Sequence, residues 1–303
     1  MNGRVAGAIP VSGLHAPRSI GTLVDEIAVL LSRAGVADSA VEARDLVAVV
    51  VGQNRFWPRV HADDSAPADL VARALAMANR RATGMPFAYA VRRAAFRHLG
   101  LEVDERVLIP RQETEVLVDL VLRHCNERRG GLVADVGTGS GAIALALAAE
   151  GHFDRVIATD VAADAIEVAR ENARLLNGKS TAMVEFRVGD LLAPLHGEQL
   201  DVLVSNPPYI AFDEAVALPP SVRDWEPSHA LFSGGQGLDA TRKIIEGAPA
   251  LLCPGGLLAL EVDSRRALQV VEFMAAGGEG AFKEIVLHQD LMGRDRFVLA
   301  TRS

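Results

Sequence analysis

From Leu132 onward the chain alternates short apolar runs with stretches of helical spacing, and no other feature constrains its fold as strongly. Leu132–Val136, Arg155–Thr159, Met183–Val188, Leu200–Ser205 and Leu257–Val262 have the length and composition of strands. Between them, Ala142–Glu150, Asp164–Leu176 and Leu238–Leu252 read as helices, the last stopped by Pro254-Gly255-Gly256. Two further apolar stretches, Phe282–His288 and Arg296–Thr301, are expected to close the sheet as a pair. Successive parallel strands need a crossover, which a helix supplies. The pattern therefore predicts an α/β fold: a mostly parallel seven-stranded sheet with helices on both faces. In such sheets ligands bind at the carboxyl ends of the strands, so the residues that follow each apolar run are the first to consider.

The run that ends at Val204 is followed by Ser205-Asn206-Pro207-Pro208-Tyr209-Ile210. Two consecutive prolines end a ladder and exclude a helix interior, so the chain must turn there with Asn206 and Tyr209 at a strand end. The side-chain carbonyl of Asn206 and the backbone carbonyl of Pro207 can each accept one N–H of a planar NH2 group, with Pro208 shaping the turn and the Tyr209 ring against the planar face. The exocyclic amine of a base and the carboxamide of a glutamine both fit that description.

The run that ends at Val136 leads into Gly137-Thr138-Gly139-Ser140-Gly141 and then a helix. Glycines let backbone approach a ligand closely, and the helix start offers unpaired N–H groups. Asp160, at the end of the next strand, is placed to accept two ribose hydroxyls. Asp190, with Leu191 beside it, follows the third strand and is placed to receive an adenine amine. The glycines alone leave the cofactor open, because Gly137, Gly139 and Ala142 also satisfy the looser dinucleotide fingerprint. The third glycine, Gly141, and the Asn206–Tyr209 turn favour S-adenosylmethionine over a nicotinamide cofactor.

Residues 1–18, with Pro10, Pro17 and scattered glycines, read as a flexible tail. Ile20–Ala34 has amphipathic helical spacing ended by Gly35, a second helix covers Ser39–Val51 with Ser39 as its N-cap, and a third runs from about Pro67 to Ala82. Residues 19–84 are thus expected to form a small helical domain, with a role in substrate recognition. Alternation in Phe87–Val91 and in Leu99–Val103 predicts a hairpin in the linker 85–110, and 111–303 form the catalytic domain. Arg73, Arg80, Arg81, Arg92, Arg93 and Arg97 make either a solvated basic surface or a partner contact.

Charge divides unevenly. Residues 1–109 hold 13 Lys and Arg against 11 Asp and Glu, whereas residues 110–303 hold 18 against 28. An acidic catalytic region argues against nonspecific binding to a phosphate backbone, and no direct nucleic-acid binding is expected. The two cysteines, Cys125 and Cys253, belong to no metal-ligand pattern, so no metal site is expected. No apolar run reaches signal-peptide or membrane-spanning length, and a cytoplasmic protein that does not engage membranes is expected.

Together these motifs resemble the class I S-adenosylmethionine-dependent methyltransferases that act on planar NH2 groups. Three further stretches narrow the resemblance: Arg106–Glu115, with a Pro-Arg pair before Glu113-Thr114-Glu115; Val222–Pro227; and Gly234–Asp239. They resemble the HemK-type protein-glutamine N5-methyltransferases that modify peptide chain release factors. The resemblance implies a Rossmann-like methyltransferase domain behind a helical domain and a hairpin linker. It implies methyl transfer from S-adenosylmethionine to the side-chain amide of a glutamine in a Gly-Gly-Gln motif. Asn206, Pro207, Pro208 and Tyr209 would hold the glutamine. Gly137, Thr138, Gly139, Ser140, Gly141, Asp160, Asp190, Leu191 and again Asn206 would hold the cofactor. Independently of the resemblance, Ala211–Gly237 is long for an αβ connection and is expected to close over the glutamine as a lid, with Trp225 or Glu226 in its wall. Gln112 stands where the family usually has Pro, Asp263 where it commonly has Gly, and Gln236 where an acidic residue is frequent. Gly234-Gly235-Gln236 repeats the substrate tripeptide by coincidence. Rival readings are a ribosomal-protein glutamine methyltransferase, an N6-adenine nucleic-acid methyltransferase and a noncatalytic cofactor sensor.

Overall fold

The structure, a computed structural model, describes residues 18–126, 130–176, 182–276 and 280–303. The expected tail, 1–18, lies almost wholly outside the described residues. The chain divides into two units. One runs to Arg92 and includes Pro220–Trp225; the other comprises Arg93–Pro219 and Glu226–Ser303.

The first unit is helical. α1 (Ile20–Arg33) is capped by Ser19, whose hydroxyl accepts the Thr22 N–H at 3.2 Å. α2 (Ser39–Val51) has the expected bounds, but Asp38 rather than Ser39 is its N-cap, and it ends on Gly52 in the left-handed conformation. α3 (Trp57–Val60) is a single turn that the spacing did not mark, because Pro58 and two turns leave no room for periodicity. α4 covers Ala68–Ala82. Leu23, Ile27, Leu31, Leu46, Val47, Leu70 and Ala74 form the buried centre. Phe87–Val91, expected as a strand, is instead a short helix, α5. Phe87 and Val91 lie four residues apart and both pack on this helical core, which helical geometry permits and alternation would not.

The basic residues of the region are largely engaged. Arg81 donates to both carboxylate oxygens of Glu42, at 2.6 and 3.1 Å, and Arg97 to both oxygens of Glu150, at 2.8 and 2.6 Å. These two arginines hold their own unit together, so the partner-contact reading does not extend to them.

The second unit opens with a hairpin, β1 (Arg93–Phe96) and β2 (Leu99–Glu102), followed by α6 (Gln112–His124). Then come β3 (Leu132–Val136), α7 (Ala142–Glu150), β4 (Arg155–Asp160), α8 (Ala163–Leu175), β5 (Met183–Val188), β6 (Leu200–Ser205), β7 (Leu252–Glu261), β8 (Phe282–Gln289) and β9 (Asp295–Arg302). Sheet order is β5-β4-β3-β6-β7-β9-β8, with the first five strands parallel and β9 antiparallel to both neighbours. This is the class I methyltransferase architecture.

Register sorts the core into two layers. Val133, Val156, Val202 and Leu257 lie side by side and join the cluster that holds α6 and α7; their successors Ala134, Ile157, Leu203 and Leu258 join the opposite cluster, with Ile244 and Ile245 of the helix Asp239–Leu251. The central strands are therefore buried on both faces and read as unbroken apolar runs. β7 starts at Leu252, five residues before the expected Leu257, because Leu252 pairs with Leu200 and Cys253–Gly256 bulge out before Leu257 pairs with Val202.

Candidate active site

The strand order sets the ends of β5, β4, β3 and β6 next to one another. The chain leaves β3 for β4 on one side, while β6 lies on the other, so the sheet's switch point falls between β3 and β6. A cavity of about 330 Å³ sits there. Gly137, Gly139, Asp160, Asp190, Leu191, Asn206 and Pro208 line it, together with Arg106–Leu108 and residues from His229 to Lys243.

On the β3–β4 side the wall is mainly backbone. The N–H groups of Gly137 and Thr138 both donate to the Thr159 carbonyl, at 2.9 and 2.8 Å. Asp160 accepts the Gly139 N–H at 2.8 Å and the Ala162 N–H at 3.0 Å, clamping the glycine turn to the end of β4. Gly137 and Gly139 adopt φ of 75° and 53°, and a Cβ at either would meet no atom within 4 Å. A side chain there would occupy cavity space; its absence leaves backbone facing the cavity. Leu191 also adopts a positive φ, 43°, which is unfavourable for a branched side chain and marks a constrained turn at the rim.

The remaining residues of the glycine motif face inward. The Thr138 hydroxyl donates to Asp135 at 2.6 Å, the Ser140 carbonyl accepts from Asn172 at 2.9 Å, and Gly141 caps α7; none of the three lines the cavity. Asp135 is fully buried. Burial pushes its carboxyl up to about 7, against the opposing hydrogen bonds from Thr138 and the Ala144 N–H.

On the β6–β7 side Asn206 and Pro208 line the cavity, and hydrogen-bonded side chains lie behind Asn206. The Ser205 hydroxyl ties the end of β6 to the Val136 carbonyl at 2.6 Å. The Asn206 amide donates through Nδ2 to Thr114 Oγ1 at 3.3 Å, and its Oδ1 is buried with no hydrogen-bond partner among the described residues. Thr114 in turn donates to Glu261 Oε2 at 2.7 Å, and the Tyr209 hydroxyl lies 3.5 Å from Glu261 Oε1. Glu261, the last residue of β7, is 1% exposed; burial pushes its carboxyl up to about 7, opposed by the Thr114 hydrogen bond. Desolvation and the neighbouring Glu261 carboxyl raise the Tyr209 phenol well above its ordinary range, so it keeps its proton. Pro207 is buried, and neither it nor the Tyr209 side chain is part of the cavity lining.

Thr114 and Glu261 were not singled out from the sequence. The signal for Glu261 was a carboxylate ending a buried strand; for Thr114 it was the Glu-Thr-Glu triplet.

The connection after Tyr209 returns to the site. Ile210 and Phe232 bridge, with Ile210 N–H to the Leu231 carbonyl at 3.0 Å and Ser233 N–H to the Ile210 carbonyl at 2.9 Å. His229, Ala230, Phe232, Ser233 and Gly234 supply the wall. Glu226, expected there, is buried elsewhere: it accepts from Arg111 at 2.5 Å and from the Ile109 N–H at 3.3 Å. A buried carboxylate needs such partners. Trp225 belongs to the first unit. Gln236 is exposed and does not line the cavity. Asp263, the departure after β7, is held by Arg265 and Arg266; both arginines also reach Glu214 at 2.8 Å, in the turn that follows Ile210.

Comparisons with known proteins agree with this arrangement. Residues 112–218 match the methyltransferase small domain family and residues 22–91 the PrmC N-terminal domain family. A release factor glutamine methyltransferase of Xylella fastidiosa is 40% identical over 270 residues, 88% of this chain and 94% of that protein. The chain belongs to the release factor glutamine methyltransferase family. Other members include those of Moorella thermoacetica, 46% identical over 74% of this chain and 77% of its own length, and Deinococcus radiodurans, 38% identical over 93% and 98%. Among solved structures, the catalytic domain of hMettl16, determined in complex with the MAT2A 3'UTR hairpin 6, superposes with a TM-score of 0.52 at 17% identity, covering 77% of this chain and 81% of that one. That likeness concerns the fold.

Family members draw the methyl group from S-adenosylmethionine, and the site fits that cofactor. Two glycines leave backbone bare at the cavity, Asp160 ends β4, and Asp190 lies just beyond the end of β5. Among the described residues no helix is long and apolar enough to cross a membrane.

Proposed function

We propose that this enzyme methylates the side-chain amide nitrogen, N5, of a glutamine in the Gly-Gly-Gln motif of a peptide chain release factor. The observation that carries this reading is the buried Oδ1 of Asn206, a residue that lines the cavity, without a hydrogen-bond partner among the described residues, in a chain whose relatives are release factor glutamine methyltransferases over most of its length. When bound, S-adenosylmethionine supplies a methyl group activated by its sulfonium.

Gly137 and Gly139 would hold that cofactor through their backbone, Asp160 would accept its ribose hydroxyls and Asp190 and Leu191 would flank its base, while Thr138, Ser140 and Gly141 shape the turn from behind. Asn206 Oδ1 accepts one N–H of the substrate amide and the Pro207 carbonyl accepts the other. An amide nitrogen is a weak nucleophile because its lone pair is delocalised. Two acceptors on its hydrogens draw that pair towards the methyl carbon and offset the positive charge that develops on nitrogen during transfer. Tyr209 and Pro208 fix the amide plane, so orientation supplies much of the rate. The proton leaves after transfer, from a nitrogen made acidic by its new bond, and no strong base is needed.

The helical segment 19–84, matched as a PrmC N-terminal domain, is the recognition element for the protein substrate, with 85–110 joining it to the catalytic domain. The enzyme works in the cytoplasm, where its substrate acts, and needs no nucleic acid.

Intact-mass measurement and peptide mapping of purified release factors, incubated with this enzyme and S-adenosylmethionine, test the reading. One added methyl on the glutamine of the Gly-Gly-Gln loop, insensitive to nuclease, is expected. Methylation confined to a ribosomal protein, or abolished by nuclease, would overturn it.

A further inference from the structure

We propose that Thr114 and Glu261 form a positioning relay that sets which end of the Asn206 carboxamide faces the substrate. The inference rests on the functional reading above.

A carboxamide has two ends of similar size and opposite polarity, and only the oxygen end accepts an N–H. Something must therefore decide its orientation. Both oxygens of Glu261 have hydroxyl neighbours: Thr114 at 2.7 Å on Oε2 and Tyr209 at 3.5 Å on Oε1. The Thr114 hydroxyl has one proton, and it is spent on Glu261. Thr114 Oγ1 can then only accept, so the group opposite it must be a donor. Asn206 meets that demand with Nδ2 at 3.3 Å. Its Oδ1 is thereby turned away from Thr114, and it is the oxygen left buried without a partner among the described residues.

Each member comes from a different part of the second unit: Thr114 from the first turn of α6, Asn206 from the end of β6, Glu261 from the end of β7. β6 and β7 are adjacent parallel strands, with Ser205 opposite Leu260, so the next residues of both, Asn206 and Glu261, emerge side by side. Leaving a buried carboxyl beside a buried amide is unfavourable unless every polar atom is satisfied. Here all are linked except the one oxygen on which the reaction depends.

Thr114→Val keeps the shape and removes the hydroxyl; Thr114→Ser restores it. The relay predicts that Thr114→Val lowers kcat by about 10–100-fold, the scale of a misplaced catalytic contact, with the Kd for S-adenosylmethionine within about twofold. Thr114→Ser should recover most of that loss. Glu261→Gln can donate to Thr114 and so reverse the relay; its kcat should fall to a similar degree, and the double variant Thr114→Val/Glu261→Gln should be no worse than the poorer single. Equal losses in the Val and Ser variants, or additive losses, would overturn the relay.

Hydrogen exchange of the Asn206 side-chain amide, followed by 15N NMR without substrate, reads the relay directly. Slow exchange in the wild type and Thr114→Ser, lost in Thr114→Val, supports it; exchange unchanged in Thr114→Val overturns it. A wild-type enzyme inactive on release factors would count against the functional reading instead, and the exchange measurement would still decide the relay.

Discussion

The two halves of the cavity are built from different materials. The β3–β4 half is backbone: two glycines in positive-φ conformations, N–H groups satisfied by the Thr159 carbonyl and one carboxylate clamp, all within Asp135–Ala162. On the β6–β7 half, Asn206 lines the cavity and is backed by side chains, Thr114, Glu261 and Tyr209, spread over nearly half the chain and joined by hydrogen bonds. A backbone site offers generic polar groups to a cofactor common to many enzymes. A side-chain site selects one acceptor and orients it. Substitutions in the two halves should therefore separate binding from transfer.

The largest separation is expected at Asn206. If Asn206 accepts one substrate N–H as proposed, Asn206→Ala should lower kcat by about 10²–10³ or more, read in a methyl-transfer assay. Asp160→Ala should show the opposite pattern. Loss of a charged hydrogen-bonding group, worth about 1.5–3 kcal/mol, should weaken S-adenosylmethionine binding about 10–100-fold, with kcat at saturating cofactor within a few-fold of wild type. A substrate-side effect of Asp160→Ala larger than its cofactor effect would break the comparison.

Gly237 tests how the acceptor half is braced. Its φ is 87°, and a Cβ there would collide with the Tyr209 carbonyl. Gly237→Ala should destabilise the protein by about 1–3 kcal/mol and reduce transfer by displacing Tyr209, with cofactor binding little changed.

Asp135 sharpens the account of the backbone half through pH. Its folded-state value of about 7 lies above the unfolded range near 4. Its contribution is fully present below about pH 4 and is lost as pH rises through about 7, because only the unfolded carboxylate ionises freely in that window. From about pH 5.5 to about pH 8, urea denaturation should show wild type losing on the order of 2 kcal/mol relative to Asp135→Asn. A difference independent of pH would show that Asp135 ionises normally.

The smallest effect concerns Gln112, the first residue of α6. Arg111 before it is extended, at φ −101° and ψ 146°, the conformation a following proline requires. Gln112→Pro should stabilise the fold by about 0.4–1 kcal/mol, measured by thermal denaturation, and leave transfer unchanged.

This division also explains what the sequence made legible. The central strands β3, β4, β6 and β7 are largely buried on both faces and read as mainly apolar runs, the edge strand β5 is only half-buried, and the glycine turn is local enough to read whole. Phe87–Val91 was misread because a single helical turn and a strand differ little over five residues; contact with the helical core decides between them. The start of β7 was missed because Pro254-Gly255-Gly256 announce a turn, and the bulge that lets Leu252 pair with Leu200 depends on β6. Thr114 and Glu261 escape sequence reasoning for a related reason: each has only a weak local signal, and the contact that joins them spans 147 positions. The long connection Ala211–Gly237 suggests Trp225 or Glu226 in a lid wall, whereas Glu226 is buried against the Arg111 guanidinium and outside the cavity lining. The departure at Asp263 proved structurally provided for, because Arg265 and Arg266 hold its carboxyl below the usual range even though burial pushes the other way.

The central claim is that cofactor binding and acceptor orientation reside in separable halves of one cavity. Calorimetric titration of Asn206→Ala with S-adenosylmethionine tests it most directly. A Kd within about threefold of wild type, in a variant that no longer transfers the methyl group, is the predicted result. Cofactor affinity lost in step with transfer would contradict it and make the two halves a single unit.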